Sequence, residues 1–199
     1  MATSKDFAIP KQFRPDKKAP VGRHFLLEVF RGFDATPPFR KYPGDDEAIR
    51  RLAAGCYAHV SAGPGFMYVA PRKTPPEVRQ AGFKMVESRD DEIVVSQTYL
   101  SNGPPMYVYL DLMHEFLHIL QRRHGRVLWP GLRVPYVDRH TEIEAYSYSI
   151  AEARRLGASD PYLRKYLEVP WVSKKDYFRL LANLGVSLPR ARKRSPAQS

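Results

Sequence analysis

The segment from Pro105 to Gly125 constrains the fold of this chain more than any other. Its apolar residues recur at helical spacing in two rows that together cover most of a helix surface. These residues are Met106, Leu110, Met113, Leu117 and Leu120 in one row, and Leu112, Phe116 and Ile119 in the other. A helix that is apolar nearly all round is buried. Pro105 suits its first position and Gly125 its end, so we expect a central helix between these residues.

This helix carries the pattern H-E-x-x-H, formed by His114, Glu115 and His118. Positions i and i+4 of a helix point the same way, so the two imidazoles can bind one metal ion. Buried imidazoles without partners cost free energy, and a metal ion satisfies both of them. Zn²⁺ is the expected ion, and Glu115 is then placed to accept a proton from the bound water. A pair of ordinary core histidines is the competing interpretation, and Mn²⁺, Fe²⁺ or Ni²⁺ suit the same donors.

A third protein ligand is expected, because catalytic zinc usually has three and one open position. His124 completes a longer spacing used by metzincin peptidases, but Gln121 stands where they have glycine, so the helix should carry His124 away. On the next predicted helix, Glu142 falls on the apolar face and Glu144 on the other. Thr141 and Glu144 also form the T-x-x-E pattern of a capping box. Glu142 is therefore the preferred ligand, and Glu144 is the alternative.

The rest of the pattern predicts strands before the central helix and helices after it, which is an α+β fold. Strands are expected over residues 25–30, 66–70, 83–87 and 92–100. Helices are expected over residues 45–60, 141–157, 160–167 and 173–184, the last of them capped by Ser173. The strand over residues 92–100 is the clearest, and we expect its edge to pair with an extended substrate.

Composition limits the remaining possibilities. The chain has 199 residues and a hydrophobic share of 43%, which is enough for one core and one domain. Its single cysteine, Cys56, excludes an internal disulfide framework and a cysteine-rich zinc site, and it fits a reducing compartment. The start of the chain lacks the apolar core of a secretory signal, and no apolar run approaches membrane-spanning length. We therefore expect a soluble cytoplasmic protein with no membrane partner.

The net charge of +11 is concentrated near the two ends of the chain. Residues 1–22 are expected to form a flexible basic segment and residues 189–199 a basic disordered tail, with one domain over residues 23–188. A basic surplus attracts nucleic acid, although a solubilising role is as consistent with it. The basic ends and the pair Lys174–Lys175 therefore support an alternative, a nucleic-acid-associated protein with a structural or vestigial metal site.

The combined pattern resembles the gluzincin group of zinc metallopeptidases, and within it the ImmA/IrrE-type peptidases. Those enzymes carry E-x-x-A-[ND]-x-F-A on the third-ligand helix, and residues 142–149 here are E-I-E-A-Y-S-Y-S. Glu142 occupies the ligand position, Ala145 the small residue and Tyr148 the position of Phe, while Tyr146 replaces Asn or Asp. The resemblance implies a zincin-like fold over about residues 92–157, zinc as cofactor, and hydrolysis of peptide bonds in a specific intracellular protein, with a regulatory protein as one candidate.

Other residues near the motif have expected roles in such chemistry. Tyr146, Tyr148 or Tyr136 is a candidate to stabilise the oxyanion or to contact substrate, and packing is the competing role of each. Asp111, one turn before His114, is either a hydrogen-bond partner of an imidazole or a solvated carboxylate. A latent protease held inactive by its own N-terminal segment is a further possibility.

Overall fold

The structure is a computed structural model that describes residues 46–62, 65–80, 82, 85–131 and 134–188. In these ranges the strands are β1 (Tyr57–Ser61), β2 (Met67–Val69) and β3 (Glu92–Ser96). The helices are α1 (Glu47–Ala54), α2 (Pro76–Gln80), α3 (Gln97–Asn102), α4 (Pro105–Arg123), α5 (His140–Arg155), α6 (Asp160–Tyr166) and α7 (Lys174–Asn183). A 3-10 turn, Tyr136–Asp138, precedes α5. The α+β class expected from the sequence is confirmed.

The strands form one mixed sheet in the order β1-β3-β2. β1 runs parallel to β3, and β2 runs antiparallel to it. Ile93, Val94 and Val95 of β3 are buried, as the continuous run of β-branched residues predicts for a strand covered on both faces. Because β3 has a neighbour on each side, it has no free edge for a substrate. The expectation that this strand pairs with substrate is therefore wrong.

The expected helix over residues 45–60 is wrong in its second half. α1 ends at Ala54, and the chain enters β1 at Tyr57. The Tyr57 amide donates to the carbonyl of Asp91 at 2.9 Å, and the parallel pairing with β3 continues from there. The apolar spacing of this segment fits a helix, but its hydrogen-bonding partner lies more than thirty residues further along the chain. The spacing of residues within the segment carries no information about a partner so far along the chain. Pairing in the tertiary structure therefore determined that residues 57–61 form a strand.

Two expected strands also differ from the structure. The strand over residues 92–100 ends at Ser96, because α3 begins at Gln97. In the expected strand over residues 83–87, the described residues 85–87 have no regular structure. The expected helices over residues 160–167 and 173–184 are confirmed, and Ser173 accepts a hydrogen bond from the Asp176 amide as a cap does. The predictions for residues 1–22, 25–30 and 189–199 lie outside the described residues.

The helix α4 is the buried helix that the apolar pattern predicts. It begins at Pro105, whose missing N–H is not needed at a first helical position. It ends in a Schellman motif, in which the Arg126 amide donates to the Gln121 carbonyl and the Gly125 amide to the Arg122 carbonyl, both at 2.9 Å. Gly125 adopts φ +75°, which only glycine adopts without strain.

Contacts on two sides fix α4 relative to its neighbours. On one side it packs against α5, where Ala145 is fully buried and the Ser149 hydroxyl donates to the Leu110 carbonyl at 2.9 Å. On the other side the Arg122 guanidinium donates to the Ala70 carbonyl at 2.8 Å and to the Asp91 carboxylate at 2.7 Å. The H-E-x-x-H face of α4 is thereby held between α5 and the end of β2.

None of the helices in the described ranges combines the length and the apolar character needed to cross a membrane. The cytoplasmic location stays a prediction.

Candidate metal centre

The two histidines of α4 and one glutamate of α5 converge on a common point. His114 Nε2 lies 3.2 Å and His118 Nε2 3.4 Å from Glu142 Oε2. The two imidazole rings stand nearly perpendicular, with centroids 4.5 Å apart. All three side chains are buried. Among the described residues, this is the group whose ligand atoms lie close enough together to hold a metal ion, and we call these three residues the metal group.

These distances fit the donor set of a small divalent ion. Two donors at about 2.0–2.1 Å from one ion with tetrahedral angles lie roughly 3.3–3.4 Å apart, close to the separations of Glu142 from the imidazoles. Glu142 Oε2 is also buried without a hydrogen-bond partner. A buried carboxylate oxygen in that state needs a cation. Two nitrogens and one oxygen suit zinc, with a position left open.

The electrostatics of the group favour a cation at the same point. Burial lowers the pKa of His114 and favours its neutral form. Burial opposes ionisation of Glu142, but the two imidazoles outweigh it and lower the pKa of that carboxyl. Against the effect of burial, Glu142 raises the pKa of His118 to about 9. The carboxylate therefore stays ionised, and a metal ion that binds here displaces the proton shared with His118.

Glu115 lies beside the three candidate metal ligands and is held by the sheet. Its Oε2 accepts a hydrogen bond from the Val69 amide of β2 at 2.9 Å. Its side chain is buried, and burial raises its pKa to about 8, with His118 opposing and Glu142 adding to the rise. The other carboxylate oxygen remains for a second contact. This geometry suits a group that accepts a proton and returns it.

A hydrogen-bond network behind His118 was not expected from the sequence. His118 Nδ1 lies 2.9 Å from Gln121 Oε1. The amide nitrogen of Gln121 donates to the Thr141 carbonyl at 3.0 Å and to Glu144 Oε2 at 2.7 Å. Arg126 donates to the same Glu144 oxygen at 2.6 Å. The spacing of His118 and Gln121, one helical turn apart on the buried face, was the available signal for this contact.

The expected capping box of α5 is wrong. The helix begins at His140, and its N-cap residue Arg139 makes no side-chain cap. Thr141 is thus already inside the helix, where its hydroxyl cannot serve as the N-cap acceptor. Glu144 binds Gln121 and Arg126 instead and lies outside the metal group.

The predicted position of His124 is confirmed. It is exposed at the C-terminal end of α4, away from the metal group.

Two of the three candidate tyrosines lie beside the metal group. The ring of Tyr146 stands 4.4 Å from that of His114, and its hydroxyl lies 3.0 Å from that of Tyr136. Burial raises the pKa of both phenols, so they stay protonated and can donate hydrogen bonds. Tyr148 packs against the core and lines neither cavity described below.

Two cavities of about 300 Å³ each meet at the metal group. Their shared lining consists of Met67, His114, Glu115, Tyr136 and Trp171. The first continues over the aromatic residues of α3, α4 and α6, and the second runs past Tyr68 and Trp129. A ligand that passes the metal group can therefore occupy space on both sides of it.

Asp111 has a different environment from either of those expected. It is not bonded to an imidazole, and it is only half-buried: its two oxygens accept hydrogen bonds from the hydroxyls of Tyr99 at 2.5 Å and Tyr166 at 2.8 Å. Burial outweighs these bonds and raises its pKa to about 6. The phenols lie 12 and 55 residues away along the chain, so no local pattern indicated them.

No family model, no curated protein and no solved structure matches this chain.

Proposed function

We propose that this protein is a zinc-dependent metallopeptidase with a zincin-like fold, as the resemblance to ImmA/IrrE-type peptidases implies. The observation that carries the proposal is the convergence of His114, His118 and Glu142 from two helices on one buried point. The position of Glu115 beside them supports hydrolysis rather than a purely structural site. The expected substrate is a peptide bond in a specific intracellular protein, and a regulatory protein is one candidate.

The chain's own residues divide the chemistry between them. His114, His118 and Glu142 would hold the zinc. When bound, zinc acts as a Lewis acid and lowers the pKa of water towards neutrality. Glu115, oriented by the Val69 amide, would take a proton from the attacking water and pass it to the leaving amine. The hydroxyls of Tyr136 or Tyr146 would donate to the oxyanion.

Strand β2 supports binding of an extended peptide. Within the described residues its only neighbour is β3. The Phe66 carbonyl and the Ala70 amide bond to β3, and Tyr68 pairs with Val94. By the alternation of an antiparallel strand, the backbone groups of Met67 and Val69 point away from β3, and the Val69 amide reaches Glu115. A substrate strand placed along β2 would lie across the metal group.

The test compares the wild-type protein with Glu115→Gln and His118→Ala. We expect the wild type to contain about one zinc per chain and to cleave members of a peptide library made from a whole proteome. Glu115→Gln should retain zinc and melt at the same temperature, but lose at least about 100-fold in cleavage rate, because it removes the general base. His118→Ala should lose zinc as well.

Cleavage by Glu115→Gln at the wild-type rate would refute the proposal. A wild-type protein that binds zinc, cleaves nothing and binds DNA with strong salt dependence would instead favour the nucleic-acid-associated alternative. Lys174 and Lys175, exposed at the start of α7, are described residues available for such a contact.

A further inference from the structure

The first of the two cavities has aromatic walls and one acidic side chain. We call it the aromatic cavity. Its lining includes Phe66, Tyr99, Tyr107, Asp111, Tyr166 and Trp171. The rings contact one another, with centroids 5.1 Å apart for Phe66 and Tyr99 and 5.3 Å apart for Phe66 and Trp171. The cavity borders His114 and Glu115. A peptide whose backbone lies at the metal group can therefore place a side chain in this cavity.

The carboxylate of Asp111 has no cationic partner among the described residues. The phenols of Tyr99 and Tyr166 occupy two of its roughly four acceptor positions. None of the ion pairs among the described residues includes Asp111. Lys165, which also borders the cavity, is exposed and takes part in none of those pairs. A carboxylate in an aromatic cavity is costly unless a cation joins it.

The walls and the acid together select one class of side chain. An apolar side chain would suit the rings but leave the Asp111 carboxylate facing a hydrocarbon. An acidic one would be repelled by the Asp111 carboxylate. A basic side chain satisfies both features, because cations bind aromatic faces and pair with a carboxylate. Arginine is favoured over lysine, since its planar guanidinium stacks on rings and binds carboxylate with two nitrogens.

We propose that the aromatic cavity is the specificity pocket of this protein and that it takes an arginine side chain, or less well a lysine, adjacent to the bond at the metal group. The guanidinium pairs with the remaining acceptor positions of Asp111, and its stem lies among the rings of Tyr107 and Trp171. This inference rests on the proposed peptidase function for the identity of its ligand, but the binding step itself requires no catalysis.

The test is a binding measurement with capped amino acids. Trp171 lines both cavities and Trp129 only the second, so Trp129→Phe leaves one tryptophan as a fluorescent reporter of the aromatic cavity. N-acetyl-arginine amide is compared with its citrulline analogue, which has nearly the same shape but no charge, and with its phenylalanine analogue. We expect arginine to bind about tenfold more tightly than citrulline.

Two substitutions in that background identify the group responsible. Asp111→Asn should bring the arginine affinity down to that of citrulline and leave citrulline unchanged. Glu168→Gln is the matched control, because it removes an exposed acid from the border of the same cavity, and it should change affinity by less than about twofold. Thermal melting checks that each variant folds.

Equal binding of arginine and citrulline, or tighter binding of phenylalanine, would overturn the inference, and this comparison needs no variant. Zinc-dependent cleavage with no preference for arginine would contradict the assignment of the pocket and leave the peptidase proposal intact. Selective binding of arginine by a protein that never cleaves peptides would support the pocket and contradict the peptidase proposal.

Discussion

At the scale of single residues, Gln121 determines which ring nitrogen of His118 is free to bind a metal. The amide nitrogen of Gln121 faces two acceptors, the Thr141 carbonyl and the Glu144 carboxylate, so its oxygen must face His118. That oxygen accepts a hydrogen bond, which places the imidazole proton on Nδ1 and leaves Nε2 free as a ligand. Arg126 in turn holds Glu144. The tautomer of one proposed metal ligand is thus set by residues outside the group of His114, His118 and Glu142.

Replacing Gln121 by Leu should therefore weaken zinc binding by about 10–100-fold, because His118 loses the acceptor that fixes its tautomer and ring orientation. Competition with a chromogenic zinc chelator measures this affinity. Gln97→Leu, at an exposed glutamine of α3, is the matched control and should bind zinc as the wild type does. An unchanged zinc affinity in Gln121→Leu would show that the hydrogen bond to His118 has no part in metal binding.

Residues on one helix were predicted where their spacing alone carried the information. His114 and His118 lie four residues apart on one helix, so the direction that they share follows from its geometry, and Glu115 lies beside them. Asp111 and Glu144 were not predicted correctly, because their partners come from other segments. The phenols on Asp111 belong to α3 and α6, and the partners of Glu144 belong to the end of α4.

At the scale of elements, the end of α4 matters because it places Arg126 against Glu144. The turn depends on Gly125, whose φ of +75° is costly for any residue with a Cβ atom. A Cβ at this position would meet no atom within 4 Å. The cost of a substitution there therefore comes from the backbone alone.

Gly125→Ala should lower the free energy of unfolding by about 1 kcal/mol, which corresponds to a decrease of roughly 2–4 °C in melting temperature. Gly55→Ala is the control, because Gly55 lacks a positive φ and its Cβ would meet its nearest atom at 3.4 Å, within ordinary contact. It should leave stability unchanged or raise it slightly. Equal melting temperatures for the two variants would contradict this account of the turn.

Helices were predicted better than strands for a physical reason. α4, α5 and α7 bury one face or most of their surface, and they end at residues whose chemistry suits a helix end, so the signal lies within each segment. β1 and the end of β3 depend on partners distant in sequence. Residues 57–61 pair in parallel with residues 92–96. This pairing leaves no spacing of apolar residues in either segment by which a strand could be told from a helix.

At the scale of the whole molecule, the metal group joins two helices that pack side by side. His114 and His118 belong to α4 and Glu142 to α5, and residues 124–139 separate the two helices along the chain. A cation bound only by the native state stabilises it in proportion to its saturation. Without a metal ion, the buried Oε2 of Glu142 has only the two imidazoles beside it and makes no hydrogen bond, and the remaining cost of its burial falls on the contact between α4 and α5.

Removing zinc with a chelator should therefore lower the melting temperature. At a free zinc concentration of about 100 times the dissociation constant, the stabilisation is about 2.7 kcal/mol, or roughly 5–11 °C for a chain of this size. Calorimetry with and without chelator measures the difference. Glu142→Gln should abolish the zinc-dependent increase, whereas Glu144→Gln should retain most of it. The opposite order would assign the third ligand to Glu144.

The sequence alone determined the central buried helix, the direction shared by two imidazoles with a glutamate next to one of them, and the preference for Glu142 on the apolar face of the following helix. These features depend on helical periodicity, which relates residues a few positions apart. Only the tertiary structure decided the strand order, the anchoring of Glu115 by β2, the contacts of Gln121 with Thr141 and Glu144, and the hydrogen bonds from two phenols to Asp111. Each of those contacts joins segments whose approach follows from packing of the whole chain, and no local spacing encodes it.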